Sequence, residues 1–150
     1  MNMRLEVWGW RLEAGEFMFE GDLLMNKSFK SYRDLEVWQK GMLLAKEIYQ
    51  ATNNFPDVEK FGLVNQMRRA AVSIPSNIAE GHARSSTNEF IRFISIALGS
   101  VAELETQIIL SVELGYLQEK IKENFLVLLD TIGKMLRGLC KSLERRRDSK

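Results

Sequence analysis

The chain is 150 residues long and 45% hydrophobic, and it carries 21 lysines and arginines against 20 acidic residues, a formal net charge of +1. That length and apolar content suit one domain with a real core and exclude a disordered chain. A single cysteine, Cys140, rules out an internal disulfide. No uninterrupted apolar run approaches the ~18 residues of a membrane helix, so the expectation is a soluble, cytoplasmic protein with no membrane partner.

Residues 1–28 read as a leader outside the fold. Glu6, Arg11, Glu13 and Glu16 interrupt any apolar signal-peptide core. Residues 1–26 hold two arginines against five acids, whereas residues 27–150 hold nineteen basic side chains against fifteen acidic ones. Glu20-Gly21-Asp22 can be encoded by a purine-rich stretch resembling a ribosome-binding site just upstream of Met25, which points to translation from Met25. The structural alternative is an amphipathic arm carrying Trp8 and Trp10 that docks on the rest of the chain.

From residue 29 to residue 147 the apolar positions recur at threes and fours, and no strand is expected anywhere. The first predicted helix covers 32–51, with Leu35, Trp38, Met42, Ala45 and Tyr49 on one face, and the stretch TNNFPD stops it. The second covers 57–80, N-capped by Asp57, with an inner stripe of Val64, Met67, Ala71, Ile74 and Ile78. Pro75 falls inside that stripe. The register persists across it, and Ile74 cannot cap a new helix, so one kinked helix ending at a left-handed Gly81 is expected.

The third predicted helix, 86–114, opens with Ser86 and Glu89 in capping-box spacing and closes at Gly115; the fourth covers 118–146. Short links between long helices make neighbours antiparallel, so the expected fold is all-α, an up-down-up-down four-helix bundle. The third helix carries a seam of Phe90, Ile94, Ala97, Val101, Leu104 and Ile108, with Ile91, Leu98, Ala102, Ile109 and Val112 beside it. The fourth carries two seams, one from Ile121 through Phe125, Leu128, Ile132 and Met135 to Leu139, the other from Leu126 through Leu129, Gly133, Leu136 and Cys140 to Leu143. These arcs suit either a broad monomeric core or burial against further copies of the chain, and self-association is expected.

The face of the second helix opposite its stripe is polar and short in side chain. Ser73, Pro75, Ser76, Asn77 and Glu80 mark the kink and a candidate contact with another helix or subunit, against the plain alternative of a solvated face. Arg68 and Arg69 either pair with Glu103 or Glu105, or contact phosphate together with Arg84 and the basic end of the fourth helix: Lys134, Arg137, Lys141, Arg145 and Arg146. Residues 117–150 hold nine basic residues against five acids, which favours nucleic acid weakly and suits a helix C-terminus equally.

Nothing in the pattern points to catalysis. His82 and Cys140 are the only residues of their types and have no evident partner, and Glu103 and Glu105, two apart, point to different faces. There is no phosphate-binding loop, dinucleotide fingerprint or Glu-x-x-His pair, so no catalytic residue, metal or cofactor is expected.

The stretches YRDLEVWQKG, IYQATNNFPDVEKFGLVNQMRRAAVSIPSNIAEGHAR, NEFIRFISIALGSVAELETQI and LGYL together resemble the four-helix bundle proteins encoded within bacterial 23S rRNA intervening sequences, over about Phe29 to Leu139. The most specific piece is RRAA-x-SIPSNIAEG. The resemblance implies a homopentameric barrel of four-helix protomers. Its relatives include the accessory variability proteins of diversity-generating retroelements, which look like partners of nucleic acid and of nucleic-acid-processing enzymes. The functional expectation is a non-catalytic homo-oligomer binding RNA or DNA backbone, with a protein-interaction scaffold as the alternative.

Overall fold

The computed structural model describes residues 10–13, 16–19 and 31–149, and the chain divides into two units, residues 1–30 and residues 31–150. In the first unit β1 (Trp10–Glu13) pairs antiparallel with β2 (Glu16–Phe19), Trp10 opposite Phe19 and Leu12 opposite Phe17. This corrects the expectation of no strand. Trp10 and Leu12 alternate with Arg11 and Glu13, and Phe17 and Phe19 with Glu16 and Met18, the period of two that favours a strand. Trp8 and the proposed start at Met25 lie outside the described residues.

The second unit contains α1 (Glu36–Ala51), α2 (Leu63–His82), α3 (Thr87–Glu113) and α4 (Glu119–Asp148). Each helix packs on its sequence neighbour, and α4 returns to α1, so the four close into a bundle. Contacts fix the direction of travel. Phe55, after α1, meets Tyr116, before α4, at 5.5 Å between ring centroids, while Tyr32, before α1, meets His82 at the end of α2 at 6.3 Å. Successive helices are therefore antiparallel, as the short links require.

Helix boundaries follow local chemistry. Ser31 caps a 3-10 turn, Tyr32–Asp34, accepting from the Arg33 amide while Asp34 accepts from the Ser31 amide, so α1 proper starts four residues later than predicted. Asp57 does not cap α2; it opens a further 3-10 turn, Asp57–Glu59. The first amide of α2, Leu63, is instead satisfied by the Glu59 carboxylate at 3.0 Å, whose other oxygen accepts from the Tyr116 hydroxyl at 3.3 Å. Desolvation and then the Glu59 carboxylate hold the Tyr116 phenol above its ordinary pKa. A carboxylate reaching up from the preceding turn does the work assigned to Asp57, and in addition ties the start of α2 to the start of α4.

Ser86 occupies the N-cap position of α3, but its side chain makes no capping bond, so the Ser86–Glu89 box does not form. Gly115 does close α3. Its φ is +76°, its amide donates to Val112 O at 2.9 Å, and the Tyr116 amide donates to Ser111 O at 2.9 Å, the paired bonds of a Schellman ending. Gly81 does not play that part for α2. It is buried one residue before the helix end, and a Cβ there would lie 2.7 Å from Phe93 Cβ and 2.7 Å from the Phe90 ring. It is a glycine because α3 crosses there, and not because the helix ends.

The stripes of α2 and α3 are core as predicted: Met67, Ala71, Ile74, Ile78, Ile94, Ala97, Leu104 and Ile108 are fully buried. In α1 the face is rotated. Val37, Gly41, Leu44, Ala45 and Ile48 are buried, whereas Met42 and Tyr49 are exposed. In α4 the buried line, Phe125, Leu129, Ile132, Gly133 and Leu136, runs between the two predicted seams. The helix α3 is long and apolar enough to cross a membrane by length and composition, and its apolar seam is the one packed between α2 and α4.

The glycines supply a direct test. Gly81→Ala forces a Cβ against the root of Phe93 and should lower unfolding free energy by about 1–3 kcal/mol. Gly99→Ala, in the middle of α3 with nothing within 4 Å, should raise it by roughly 0.5–1 kcal/mol. Urea denaturation of the two variants checks both signs.

Candidate functional site

The residues around Pro75 separate into three groups. Pro75 itself is buried within an unbroken α2 and faces α1: a Cβ on Gly41 would lie 3.4 Å from Pro75 Cβ and Cδ. Ser73 and Asn77 turn toward α3. Ser73 Oγ and Ser100 Oγ share a hydrogen bond of 2.8 Å, Asn77 Nδ2 donates to Ser73 Oγ at 2.9 Å and to Ser73 O at 2.7 Å, and Ser100 Oγ donates to Ile96 O at 3.2 Å. Pro75 and these two side chains are thus spent inside the protomer. Ser76 and Glu80 are exposed, and Glu80 accepts from Arg84 at 2.8 Å.

The cations also divide. Arg68 is a clamp on the end of α1: its Nε donates to Thr52 Oγ1 at 2.9 Å, its Nη2 to Asn53 Oδ1 at 3.0 Å, and its guanidinium lies 4.7 Å over the Tyr49 ring. It pairs with neither Glu103 nor Glu105. Glu103 instead accepts from Gln107 Nε2 at 3.2 Å. Arg69, next in sequence, is exposed and makes no ion pair among the described residues. Arg84 is held by Glu80 and stacks 5.1 Å over Phe93.

On α4, Lys134, Arg137, Lys141 and Arg145 are exposed at spacings of three, four and four, which align on one helix face. Lys134 pairs with Asp130 at 2.6 Å, while among the described residues Arg137, Lys141 and Arg145 have no carboxylate within ion-pair distance. Arg146 follows in the same last turns, and Arg147, one of the nine basic residues of 117–150 but not among the candidate contacts, donates to Asp148 at 2.8 Å and to Asn88 at 3.5 Å. Arg84 precedes the start of α3, the end of the bundle where Arg147 of α4 reaches Asn88, whereas Arg68 and Arg69 lie nearer the other end of α2. Arg68 and Arg84 are sixteen residues apart on α2 and its continuation, roughly 24 Å along a helix axis.

The remaining candidates for chemistry sit in packing roles. His82 is not in an exposed turn: it belongs to the last turn of α2, between Tyr32 at 6.3 Å and Phe90 at 5.9 Å. Cys140 is half-buried, 3.8 Å from Glu144 Oε1, and burial followed by the Glu144 carboxylate pushes its thiol pKa up, away from reactivity. Among the described residues no three of His, Cys, Asp and Glu converge as a metal site.

Fold and site together define an antiparallel four-helix bundle protein whose unpaired cations lie on outer helix faces. Over residues 33–138 the chain matches the model of the 23S rRNA-intervening sequence proteins, and it belongs to that family. It is similar to the crystal structure of a protein of unknown function from the S23 ribosomal protein family of Bacteroides thetaiotaomicron VPI-5482, with 27% identity and a TM-score of 0.63 over 70% of this chain and 98% of that one. No curated protein matches the chain.

The neighbouring arginines should behave differently on substitution. Arg68→Ala removes three hydrogen bonds, to Thr52, Asn53 and the Tyr49 carbonyl, and the Tyr49 stack, and should cost about 1–2 kcal/mol of stability, whereas Arg69→Ala should stay within about 0.5 kcal/mol of the parent. Thermal or urea unfolding of the pair distinguishes clamp from free cation.

Proposed function

We propose that the protein is a non-catalytic, cytoplasmic homo-oligomer, a pentamer of four-helix protomers, that binds the backbone of RNA or DNA. The observation that carries the reading is the α4 stripe. Four cations share one exposed face over about three turns, and three of them have no acidic partner among the described residues. Cations at a helix C-terminus also complement its dipole, but that effect fades within the last turn, and Lys134 and Arg137 lie beyond it. Self-association is supported by apolar side chains left at the surface of three helices, Leu43 at 48%, Ile96 at 44% and Val127 at 60% exposure.

The same apolar exposure supports a second reading, a scaffold whose ligand is another polypeptide or a nucleic-acid-processing protein. In that case the cations serve solubility alone, and the purified protein is indifferent to added nucleic acid.

Neutralising four phosphates on a duplex predicts an affinity loss of about 150-fold between 50 and 200 mM salt, with little sequence preference. The double variant Arg137→Ala, Lys141→Ala should flatten the log–log slope by roughly two. Binding indifferent to salt would overturn the backbone reading. Native mass spectrometry checks the assembly, and a monomer would overturn the oligomer.

A further inference from the structure

Between the last turn of α1 and the outer face of α2 lies an open groove of about 560 Å³. Among the described residues three cations line it, Lys60, Arg68 and Arg69, and no carboxylate does. Its apolar surface comes from Tyr49, Phe61 and Val72, all exposed, Phe61 to 86%. Glu103 lines the adjoining pocket, which shares Phe61 and Arg69, and exposed aromatic rings beside three cations are a complementary surface for a flat, anionic ligand.

The cations are graded for such a ligand. Thr52, Asn53 and the Tyr49 ring fix the Arg68 guanidinium through Nε and Nη2, so its Nη1 edge is presented without further ordering. Arg69 is unpaired at the rim. Lys60 lies 5.8 Å over one face of Phe61, which leaves the ring's other side open. We propose that this groove binds a nucleoside phosphate, with the base stacked on Phe61 and the phosphate held by Arg69 beside Arg68. The volume is within the range of small-molecule sites, and every base offers a face to stack, so the groove is tolerant of base identity.

The ligand is either a free nucleotide or one unit of a single strand. This site rests on the nucleic-acid reading only in the second case, and its residues are separate from the α4 stripe. The test is calorimetric titration of the full chain with AMP, with inorganic phosphate and with a ten-residue oligouridylate, against the variants Phe61→Ala, Arg69→Ala and the α4 double variant. Loss of one stacked base should weaken binding by about 5- to 150-fold in Phe61→Ala, and Phe61, being exposed, can be removed without disturbing the core. AMP binding that falls in Phe61→Ala and in Arg69→Ala supports a free nucleotide. Oligouridylate binding that falls in both, with AMP silent, supports a strand. If inorganic phosphate binds as tightly as AMP, or if neither AMP nor oligouridylate binding responds to Phe61→Ala, the proposal is overturned. Oligouridylate binding lost only in the α4 variant, with AMP silent, overturns it while leaving the backbone reading intact.

Discussion

The bundle depends on how closely α2 can approach both of its neighbours. On the α1 side the contact is Pro75 on Gly41; on the α3 side it is Ser73 on Ser100 and, about two turns further, Gly81 beneath Phe90 and Phe93. All are small at the point of contact, and that lets the larger side chains on either side interdigitate. An interior proline costs a helix roughly 3 kcal/mol, because the carbonyl four residues back loses its amide donor. Against this, α2 fully buries Met67, Ile74 and Ile78 among others, and each large aliphatic side chain contributes about 1.5–3 kcal/mol. Burial of two of them offsets the proline, so the helix continues through it.

The same geometry explains the polar residues beside Pro75. Serines and asparagine within a helix tend to bond the carbonyl a turn earlier, as Asn77 does to Ser73 and Ser100 does to Ile96. Here those bonds are joined across the α2–α3 contact by the Ser73–Ser100 pair, so a half-buried interface retains satisfied hydroxyls. The network bridges to α3 with Ser73 at the floor of the groove, whose α2 wall also carries Arg69, Val72 and Ser76.

Much of this was legible beforehand. The four helices, their antiparallel order, the stripes of α2 and α3, the passage through Pro75 and the glycine ending at Gly115 follow from periodicity and turn chemistry. What escaped the sequence was set by tertiary contact. The buried face of α1 is the one with Gly41 in it, because Pro75 needs room there, although Trp38, Met42 and Tyr49 make the more apolar-looking stripe. Glu59 caps α2 from a turn away, a role that spacing rules assign to Asp57. Gly81 looked like a terminator and is a crossing point. The hairpin of β1 and β2 was passed over because its alternation is only four residues long on each side. For the charged residues, sequence gives the number of cations but not their partners, and only the packing of α1 on α2 separates a clamped Arg68 from a free Arg69.

That separation governs how the two proposed contact surfaces relate. In a ring of four helices, α2 and α4 are diagonal, and no extensive contact joins them. Their outward faces diverge, so a short strand seated in the α2 groove cannot also lie along the α4 stripe of the same protomer. The groove is at the end where Phe55 meets Tyr116, while the stripe runs toward the end where Arg147 meets Asn88. A helix of twenty residues spans about 30 Å, so the two surfaces are offset along the axis as well as around it. A small anion would therefore occupy one surface without sensing the other. Only a polymer long enough to pass around the bundle, or to run from one protomer to the next, could engage both, and for it the two sites would act as linked modest contacts whose avidity grows with strand length.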